Sequence, residues 1–404
     1  MTTPSPTVRL HRVLLKAFLV LGLLGAVAAV LVLWRSPWLR VPRPAQADLL
    51  HATPTTLTPL PCPPGRSAAA TTSFSASADP LALRRLLTLG WYAPLDSAMQ
   101  RYVDEMPCNI HAEWDLLEAF QAFRLADTSL APVLDVWVME RPGAATPRLA
   151  RASYWTERAW RARGARWARD TPRAAFAAMQ QALTRARADI DTALQVDPRA
   201  LVAHLLLLEQ AQLLGAQDAA ERILARGLSA WPASYNLRRF RMRSLVPNWG
   251  GSYEMMADFA QAAQTHAPEN PELTVLLGYV AYEDGRAARR SGDTLRAIAR
   301  LSDAVAYGAY PPFLQDRADV LDDAGRFQEA LADLNKALEL WPFYPEALQL
   351  RGQVLYRLGR QADARARLDL WMRGLEDLRT AARLDPGDVD TREWLDFLAQ
   401  RLGR

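Results

Sequence analysis

The chain has 404 residues, and half of them are hydrophobic, which allows a sizeable folded core and excludes a generally disordered protein. Its formal charge is +4, and nearly all positive side chains are arginines, since Lys16 and Lys336 are the two lysines. This bias is typical of genomic composition, so we expect no nucleic-acid partner. The two cysteines, Cys62 and Cys108, have no metal-ligand spacing, and we expect neither a metal nor another cofactor.

A membrane-spanning helix is predicted over residues 13–34, after an N-terminal tail at residues 1–12. The stretch "AFLVLGLLGAVAAVLVLW" (Ala17–Trp34) carries no charge, and as a helix it would span about 27 Å, close to the hydrocarbon thickness of a bilayer. The alternative is a cleaved signal peptide, because Ala26–Ala28 has the small residues of a cleavage site. We favour the uncleaved anchor, because the apolar run continues past that triplet.

The basic residues on the two sides of this helix do not decide its orientation, because they are balanced in number. A short tail ahead of a long folded domain favours a cytoplasmic tail. We therefore expect a single-pass protein of the bacterial inner membrane with its soluble domain in the periplasm. The flanking residues are Arg9, Arg12 and Lys16 before the helix, and Arg35, Arg40 and Arg43 after it.

Residues 35–79 are predicted to form a disordered linker. They are rich in Pro, Thr, Ala and Ser, as in "HATPTTLTPLPCPPG" (His51–Gly65), and such a composition cannot bury a core. Cys62 lies in this segment. A disulfide with Cys108 and two free thiols both remain open, and the disulfide requires export of the chain.

Beyond Asp79 the sequence predicts helices only. Apolar residues recur at intervals of three and four, Gly or Pro separates the segments, and no run alternates with period two. The clearest pattern lies in Pro311–Pro342, where Gly325 falls at a turn and small, large and small residues follow at Ala330, Leu334 and Ala337. Small residues permit close contact between two helices, glycine permits the turn, and proline ends the second helix.

This order of residues resembles the tetratricopeptide repeat (TPR), which implies an all-α, TPR-like α-solenoid of antiparallel helix pairs. Residues 268–387 are predicted to hold the better repeats and residues 80–267 a degenerate helical-repeat domain. A capping helix is predicted at residues 388–404, with Trp394, Leu395, Leu398 and Leu402 as its apolar stripe. Further turn glycines are predicted at Gly215, Gly292 and Gly359, the last one followed by a lengthened second helix.

The stretch "NWGGSYEMMADFA" is predicted to be a joint between two helices. Gly250 falls at a turn position, and Ser252 is a good N-cap for the helix that follows. Trp249 would pack over this corner. Phe259 and Ala262 would take the large and small positions of the second helix.

A second resemblance concerns the region of about Asp79–Ala267. The Trp-rich segment "SYWTERAWRARGARWARDTP" (Ser153–Pro172), followed by the W-G-G-S turn at Trp249–Ser252, is similar to an uncharacterised bacterial family classed as a domain of unknown function. The resemblance implies helices and carries no activity with it.

Catalytic chemistry is not indicated. The histidines His111, His204 and His266 are far apart in sequence, and His204 lies in an apolar stretch that favours the core. No hydrolase, metalloprotease or phosphate-binding motif is present, and no nucleophile, base and orienting group can be assembled. We therefore expect a protein that is not an enzyme.

The region 148–187 is an arginine-rich face, where ten arginines stand against Glu157 and Asp170, a local charge of +8. Two interpretations remain open: binding of an anionic envelope polymer or lipid headgroup, or a solvated face whose tryptophans lie in the core. The candidate anion-binding residues are Arg158, Arg161, Arg163, Arg166 and Arg169.

The first helices of the predicted repeats would line a concave groove. Its acidic, amide and tyrosine side chains suit a basic or polar peptide, whereas TPR proteins that clamp a carboxylate place Lys and Asn there. We therefore expect a membrane-anchored scaffold or adaptor for a protein or peptide partner in an envelope complex. The candidate groove residues are Glu272, Tyr279, Glu283, Gln315, Asp319, Asp322, Asp323, Glu346, Gln349, Gln353 and Tyr356.

Overall fold

The computed structural model describes residues 56–63, 74–125, 127–166 and 170–403. The predicted tail, the predicted membrane helix and most of the predicted linker lie outside these residues. The described part contains seventeen α-helices and no strand, so the all-α prediction is confirmed. None of the described helices is both long and apolar enough to cross a bilayer.

Four helices precede the regular pairs: α1 (Pro80–Thr88), α2 (Tyr92–Glu105), α3 (Ala112–Gln121) and α4 (Leu130–Glu140). The pairs that follow are α5 (Ala145–Arg163) with α6 (Arg173–Val196), α7 (Leu201–Leu213) with α8 (Gln217–Ala230), α9 (Tyr235–Ser244) with α10 (Tyr253–Ala263), α11 (Tyr279–Arg290) with α12 (Thr294–Val305), α13 (Pro311–Asp323) with α14 (Phe327–Leu340), and α15 (Pro345–Gln361) with α16 (Ala364–Leu384). A 3₁₀ segment, Pro271–Gly278, leads into α11, and a single helix, α17 (Val389–Arg401), follows the last pair.

The pair α13 and α14 shows why this sequence makes a hairpin. Gly325 connects the helices with a φ of 75°, a left-handed conformation that favours glycine. Ala318 on the first helix and Ala330 and Ala337 on the second are fully buried, so no long side chain holds the two backbones apart. Apolar burial along this contact stabilises the pair.

An arginine–aspartate fork recurs between the two helices of three pairs. Arg317 on α13 donates two hydrogen bonds of 2.7 Å to Asp333 on α14. Such planar, bidentate pairs fix both the distance and the orientation of two helices. The same fork joins α5 to α6 and α15 to α16, through Arg151 with Asp189 and Arg351 with Asp377.

The pair α15 and α16 differs from the prediction at its turn. Gly359 remains inside α15, and the turn comes at Ala362 and Asp363, where Asp363 caps the next helix. A Cβ on Gly359 would lie 2.4 Å from the indole nitrogen of Trp371, so this glycine serves close helix contact instead of a turn. The predicted lengthening is confirmed, since α16 has 21 residues and α14 has 14.

The W-G-G-S segment is a joint between α9 and α10. Gly250 has a φ of 89°, and Ser252 Oγ accepts a hydrogen bond of 3.2 Å from the backbone N–H of Met255. Phe259 is half-buried, but the prediction for Ala262 is wrong because this residue is exposed. In the helix that begins at Tyr253, the buried residues are instead Met256, Ala260 and Ala263.

A single helix, α17, lies where the capping helix is predicted. Asp388 caps it by accepting a hydrogen bond of 3.3 Å from the backbone N–H of Thr391. Leu398 is fully buried against Leu375 and Leu378 of α16. The other predicted stripe residues pack around this contact: Trp394, Leu395 and Leu402.

Part of the predicted linker is packed into the fold. Phe74 is 4% exposed, and its ring packs against Trp114, Tyr235 and Tyr310 at centroid distances of 5.4 to 5.7 Å. Ala76 donates its backbone N–H to the carbonyl of Leu340. The prediction of disorder is therefore wrong for residues 74–79, because burial here depends on a surface supplied by residues far along the chain. We call residues 74–125 the N-terminal arm.

The helix pairs coil far enough to bring the two ends of the array together. Arg161 near the end of α5 pairs with Asp385 just after α16, with 2.6 Å between Nη2 and Oδ2. Arg84 of the arm donates to the carbonyls of Arg383 and Leu384 at 2.8 and 3.1 Å. We call the side of the array on which the arm packs, at Tyr235, Glu272, Tyr310 and Trp341, the inner face.

Gly251→Ala should destabilise the fold, because a Cβ at this position would lie 1.9 Å from the carbonyl oxygen of Leu245. We expect a loss of about 2–4 kcal/mol in the free energy of unfolding, measured by denaturant titration. Gly143→Ala is the matched control, because no atom lies within 4 Å of its added methyl group. Equal stability of the two variants would contradict this account of the joint.

Candidate protein-binding surface

Glu272 is a buried anchor for the N-terminal arm and not an open groove residue. It is 2% exposed, and its carboxylate accepts hydrogen bonds from the backbone N–H of Phe74 at 2.6 Å and from Trp114 Nε1 at 2.8 Å. The same carboxylate lies 2.9 Å from His111 Nδ1 and raises the pKa of that histidine. The groove prediction is wrong for Glu272, because the arm covers it.

A second buried carboxylate, Glu113, lies at the start of α3 and was not predicted. It accepts hydrogen bonds from Ser234 Oγ at 2.7 Å and from the backbone N–H groups of Tyr235 and Asn236. These donors belong to the first turn of α9, where a negative charge is favourable. Burial raises the pKa of Glu113 to about 7. No sequence signal separates Glu113 from Asp115 and Glu118, the other acidic residues of α3.

The aspartates of α13 are neutralised by arginines of neighbouring helices. Arg289 of α11 pairs with Asp319 and, at 3.1 Å, with Asp323. Arg357 of α15 pairs with Asp322 at 2.5 Å, and Asp322 is only 6% exposed. The prediction of an acidic groove is therefore wrong for this stretch, because successive first helices place opposite charges at facing positions.

Two further groove candidates lie on α11. Tyr279 is 4% exposed, and its ring packs on Phe313 at 5.1 Å, so it belongs to the core. The groove prediction is wrong for Tyr279 for this reason. Glu283 is half-buried and pairs with Arg286 one helical turn later, at 3.3 Å.

The remaining candidates lie on the inner face near the C-terminal end. Gln349 and Gln353 of α15 line a cavity of 390 Å³ together with Trp394 and Phe397 of α17. We call it the α15–α17 cavity. Its rim carries the exposed carboxylates Asp390 and Glu393, and Tyr356 packs against both aromatic rings, at 5.9 and 5.2 Å between centroids. Gln315 is half-buried on α13, and Glu346 is exposed on α15.

Glu118 of the arm and Glu346 of α15 make the adjoining part of the inner face acidic. Burial, followed by repulsion from Glu346 and Asp115, raises the pKa of Glu118 to about 8. Burial among neighbouring groups also raises the pKa of Glu346. Repulsion between the two carboxylates disfavours the state in which both are ionised.

The arginine-rich face is largely held by internal contacts. Arg161 pairs with Glu157 at 2.9 Å as well as with Asp385, and Arg163 donates to the carbonyl of Gly164 and lies over the ring of Trp249. Arg158 is half-buried and also has a partner. Arg166 is exposed, and Arg169 lies outside the described residues. Tyr154 is 1% exposed, which places it in the core.

The remaining predicted residues, a histidine and two cysteines, have structural roles. His204 is 1% exposed, and its Nε2 lies 3.0 Å from the carbonyl oxygen of Pro198, as expected for a core histidine. Cys62 and Cys108 are joined by a disulfide, which ties residues 56–63 to the loop between α2 and α3. Among the described residues, no group of three His, Cys, Asp or Glu side chains could hold a metal ion.

Comparisons with known proteins find relatives of parts of the chain. The chain is 30% identical over 126 residues to the Photosystem I assembly protein Ycf3 of Synechococcus sp. (strain WH7803), a match that covers 29% of this chain and 73% of that protein. The chain belongs to the tetratricopeptide-repeat family, of which that assembly protein is a member.

A family model described as a domain of unknown function, DUF4034, matches residues 81–218. This confirms a family of unknown function in the predicted region. The W-G-G-S turn lies beyond the matched residues, so its place in that family remains a prediction.

Two solved structures are also similar. Yeast Tom70 has a TM-score of 0.38 and 15% identity, with 72% of this chain and 53% of that chain covered. The TPR domain of P58(IPK) has a TM-score of 0.26 and 15% identity, with 80% and 96% covered. The chain thus spans about half the length of the Tom70 structure.

Glu272→Ala should release the N-terminal arm, because it leaves the buried donors of Phe74 and Trp114 without an acceptor. We expect a loss of about 2–4 kcal/mol in the free energy of unfolding and faster proteolysis within residues 74–125. Glu269→Ala is the control, since Glu269 lies three residues before Glu272 and is an exposed partner of His266. Unchanged proteolysis of the Glu272 variant would show that this carboxylate does not hold the arm.

The pKa of Glu118 predicts that stability falls as pH rises. Between its ordinary value of 4.5 and about 8, the unfolded chain has lost this proton and the folded chain keeps it. Glu118→Gln should therefore reduce the fall in Tm between pH 5 and pH 9 by about 2–4 °C, measured by calorimetry. The exposed Glu140→Gln should keep the wild-type slope, and a Glu118→Gln slope equal to wild type would refute the assignment.

Proposed function

We propose that this protein is a scaffold that binds a segment of a protein partner on its inner face, at the α15–α17 cavity. The observation that supports the proposal is the combination of groups at this cavity. Gln349 and Gln353 lie one helical turn apart and offer amide donors and acceptors, while Trp394 and Phe397 offer apolar surface. An extended peptide needs both kinds of contact.

The charge of the rim indicates the kind of segment. Asp390 and Glu393 are exposed at the cavity, and Glu346 lies nearby on the same helix as Gln349. Unlike the aspartates of α13, Asp390 and Glu393 have no ion-pair partner among the described residues. The segment that fits is therefore polar or basic, with an apolar side chain for the aromatic wall.

We further propose that the scaffold is anchored in the bacterial inner membrane and serves the assembly of an envelope complex. The apolar helix predicted at residues 13–34 supports the anchor. The disulfide between Cys62 and Cys108 supports a periplasmic domain, because disulfides persist in oxidising compartments. The relative named above is an assembly protein, which supports an assembly role.

An alternative function is the binding of anionic polymer or lipid headgroups at the end of α5. The exposed Arg166 and the half-exposed Arg161 favour it, although Arg161 already pairs with two carboxylates. The salt dependence of partner binding distinguishes the two functions. Retention of a defined protein in high salt would support the cavity, whereas loss of all partners in high salt would support the arginine-rich face.

Glu393→Arg should weaken capture of the partner at least about tenfold, because it places a positive charge at the rim where a basic segment would bind. The measurement is the affinity of the full chain, in detergent, for the partner recovered by pull-down. Asp396→Arg is the matched control, since Asp396 is exposed on the same helix and does not line the cavity. Equal affinities of the two variants would exclude the cavity as the binding site.

A further inference from the structure

Two arginines on α9 lie one helical turn apart, and aromatic rings surround both of them. The guanidinium carbon of Arg239 is 4.5 Å from the ring centroid of Phe240 and 5.9 Å from that of Trp114. The guanidinium carbon of Arg243 is 5.6 Å from Phe240 and 5.8 Å from Trp160. Both arginines are half-buried, so each keeps a surface that a ligand could contact.

Neither guanidinium group is hydrogen-bonded to a carboxylate within the described residues. Arg239 donates from Nε to Asn236 Oδ1 at 2.8 Å, and the guanidinium group of Arg243 packs on two aromatic rings. Glu209 interacts with both arginines at longer range, but Arg124 occupies its two oxygens at 3.2 and 3.0 Å. Charges removed from water in proteins are paired as a rule, because an unpaired one is strongly unfavourable.

Two observations beside the arginines point to a missing acceptor. The Nδ2 donor of Asn236, a fully buried residue, has no hydrogen-bond partner in the described part of the chain. Burial, together with repulsion from Arg239 and Arg124, lowers the pKa of Arg243. This end of the inner face therefore carries two arginines whose guanidinium groups are not hydrogen-bonded to any anion among the described residues.

We infer that Arg239 and Arg243 form a binding site for an oxyanion, the carboxylate or phosphate group of a ligand. Guanidinium groups bind such groups through paired N–H donors, and the surrounding rings of Phe240, Trp114 and Trp160 strengthen the interaction by excluding water. The site lies on α9. Its arginines belong neither to the α15–α17 cavity nor to the candidate anion-binding residues of α5, although Trp160 of α5 supplies one of its rings, and it does not depend on the function proposed for either.

The test is isothermal titration calorimetry of the full chain in detergent, at constant ionic strength maintained with chloride. The probes are inorganic phosphate, a short alanine peptide with a free C-terminal carboxylate, and the same peptide as its amide. We expect saturable binding of phosphate, of the peptide acid, or of both, and none of the amide. The probe that binds identifies whether the site takes phosphate or carboxylate.

Arg243→Gln should weaken this binding about tenfold, and Arg243→Lys should weaken it less, because lysine keeps the charge but lacks the paired donors. Arg290→Gln is the matched control for the loss of one positive charge, because Arg290 is exposed on α11. Without an anion, Arg243→Gln should keep the wild-type Tm, since it removes an unpaired charge. Absence of binding by the wild type, or wild-type affinity in Arg243→Gln, would overturn the proposal.

Discussion

The position of the N-terminal arm depends on hydrogen bonds to two buried carboxylates. Glu272 at the start of the fourth regular pair binds the backbone and indole N–H groups of the arm, and Glu113 of the arm binds the first turn of α9. In the first contact the helix pairs supply the carboxylate and the arm supplies the donors, and in the second contact these roles are reversed. They therefore fix both the position and the register of the arm on the inner face, which burial of Phe74 and Trp114 alone would leave free to slide.

Local patterns predicted the helix pairs well. Contacts between helices that follow one another in the sequence produce a periodic pattern of small and apolar residues. This pattern identified Gly325, Ala330, Ala337 and the apolar stripe of α17. What could not be predicted was decided by residues far apart. In the sequence Asp319 looks like an unpaired acidic side chain, because its partner Arg289 lies thirty positions earlier. Residues 74–79 look like linker, because the surface that buries them is formed by helices far along the chain.

The same distinction applies to the candidate sites. Gln349 and Gln353 were predicted as groove residues from their place on a first helix, whereas Trp394 and Phe397 join them only because α17 folds across that helix. Arg239 and Arg243 carried no signal in the sequence, since half-burial without a carboxylate partner is a property of the fold alone. The arm covers part of the inner face, and the two binding sites proposed above are the α15–α17 cavity and the arginines of α9.

The disulfide between Cys62 and Cys108 also has a mechanical consequence. It closes a covalent loop of 46 positions that contains Phe74, α1 and α2. Tension applied ahead of Leu57 first reaches the hydrogen bonds of Leu57 with Ser229 and of Thr58 with Arg199, and tension that reaches Cys62 then passes through the disulfide to the loop before α3. If the chain is tethered at its N-terminus, thermal movement of the tether would load these hydrogen bonds first and then α3 with its buried Glu113.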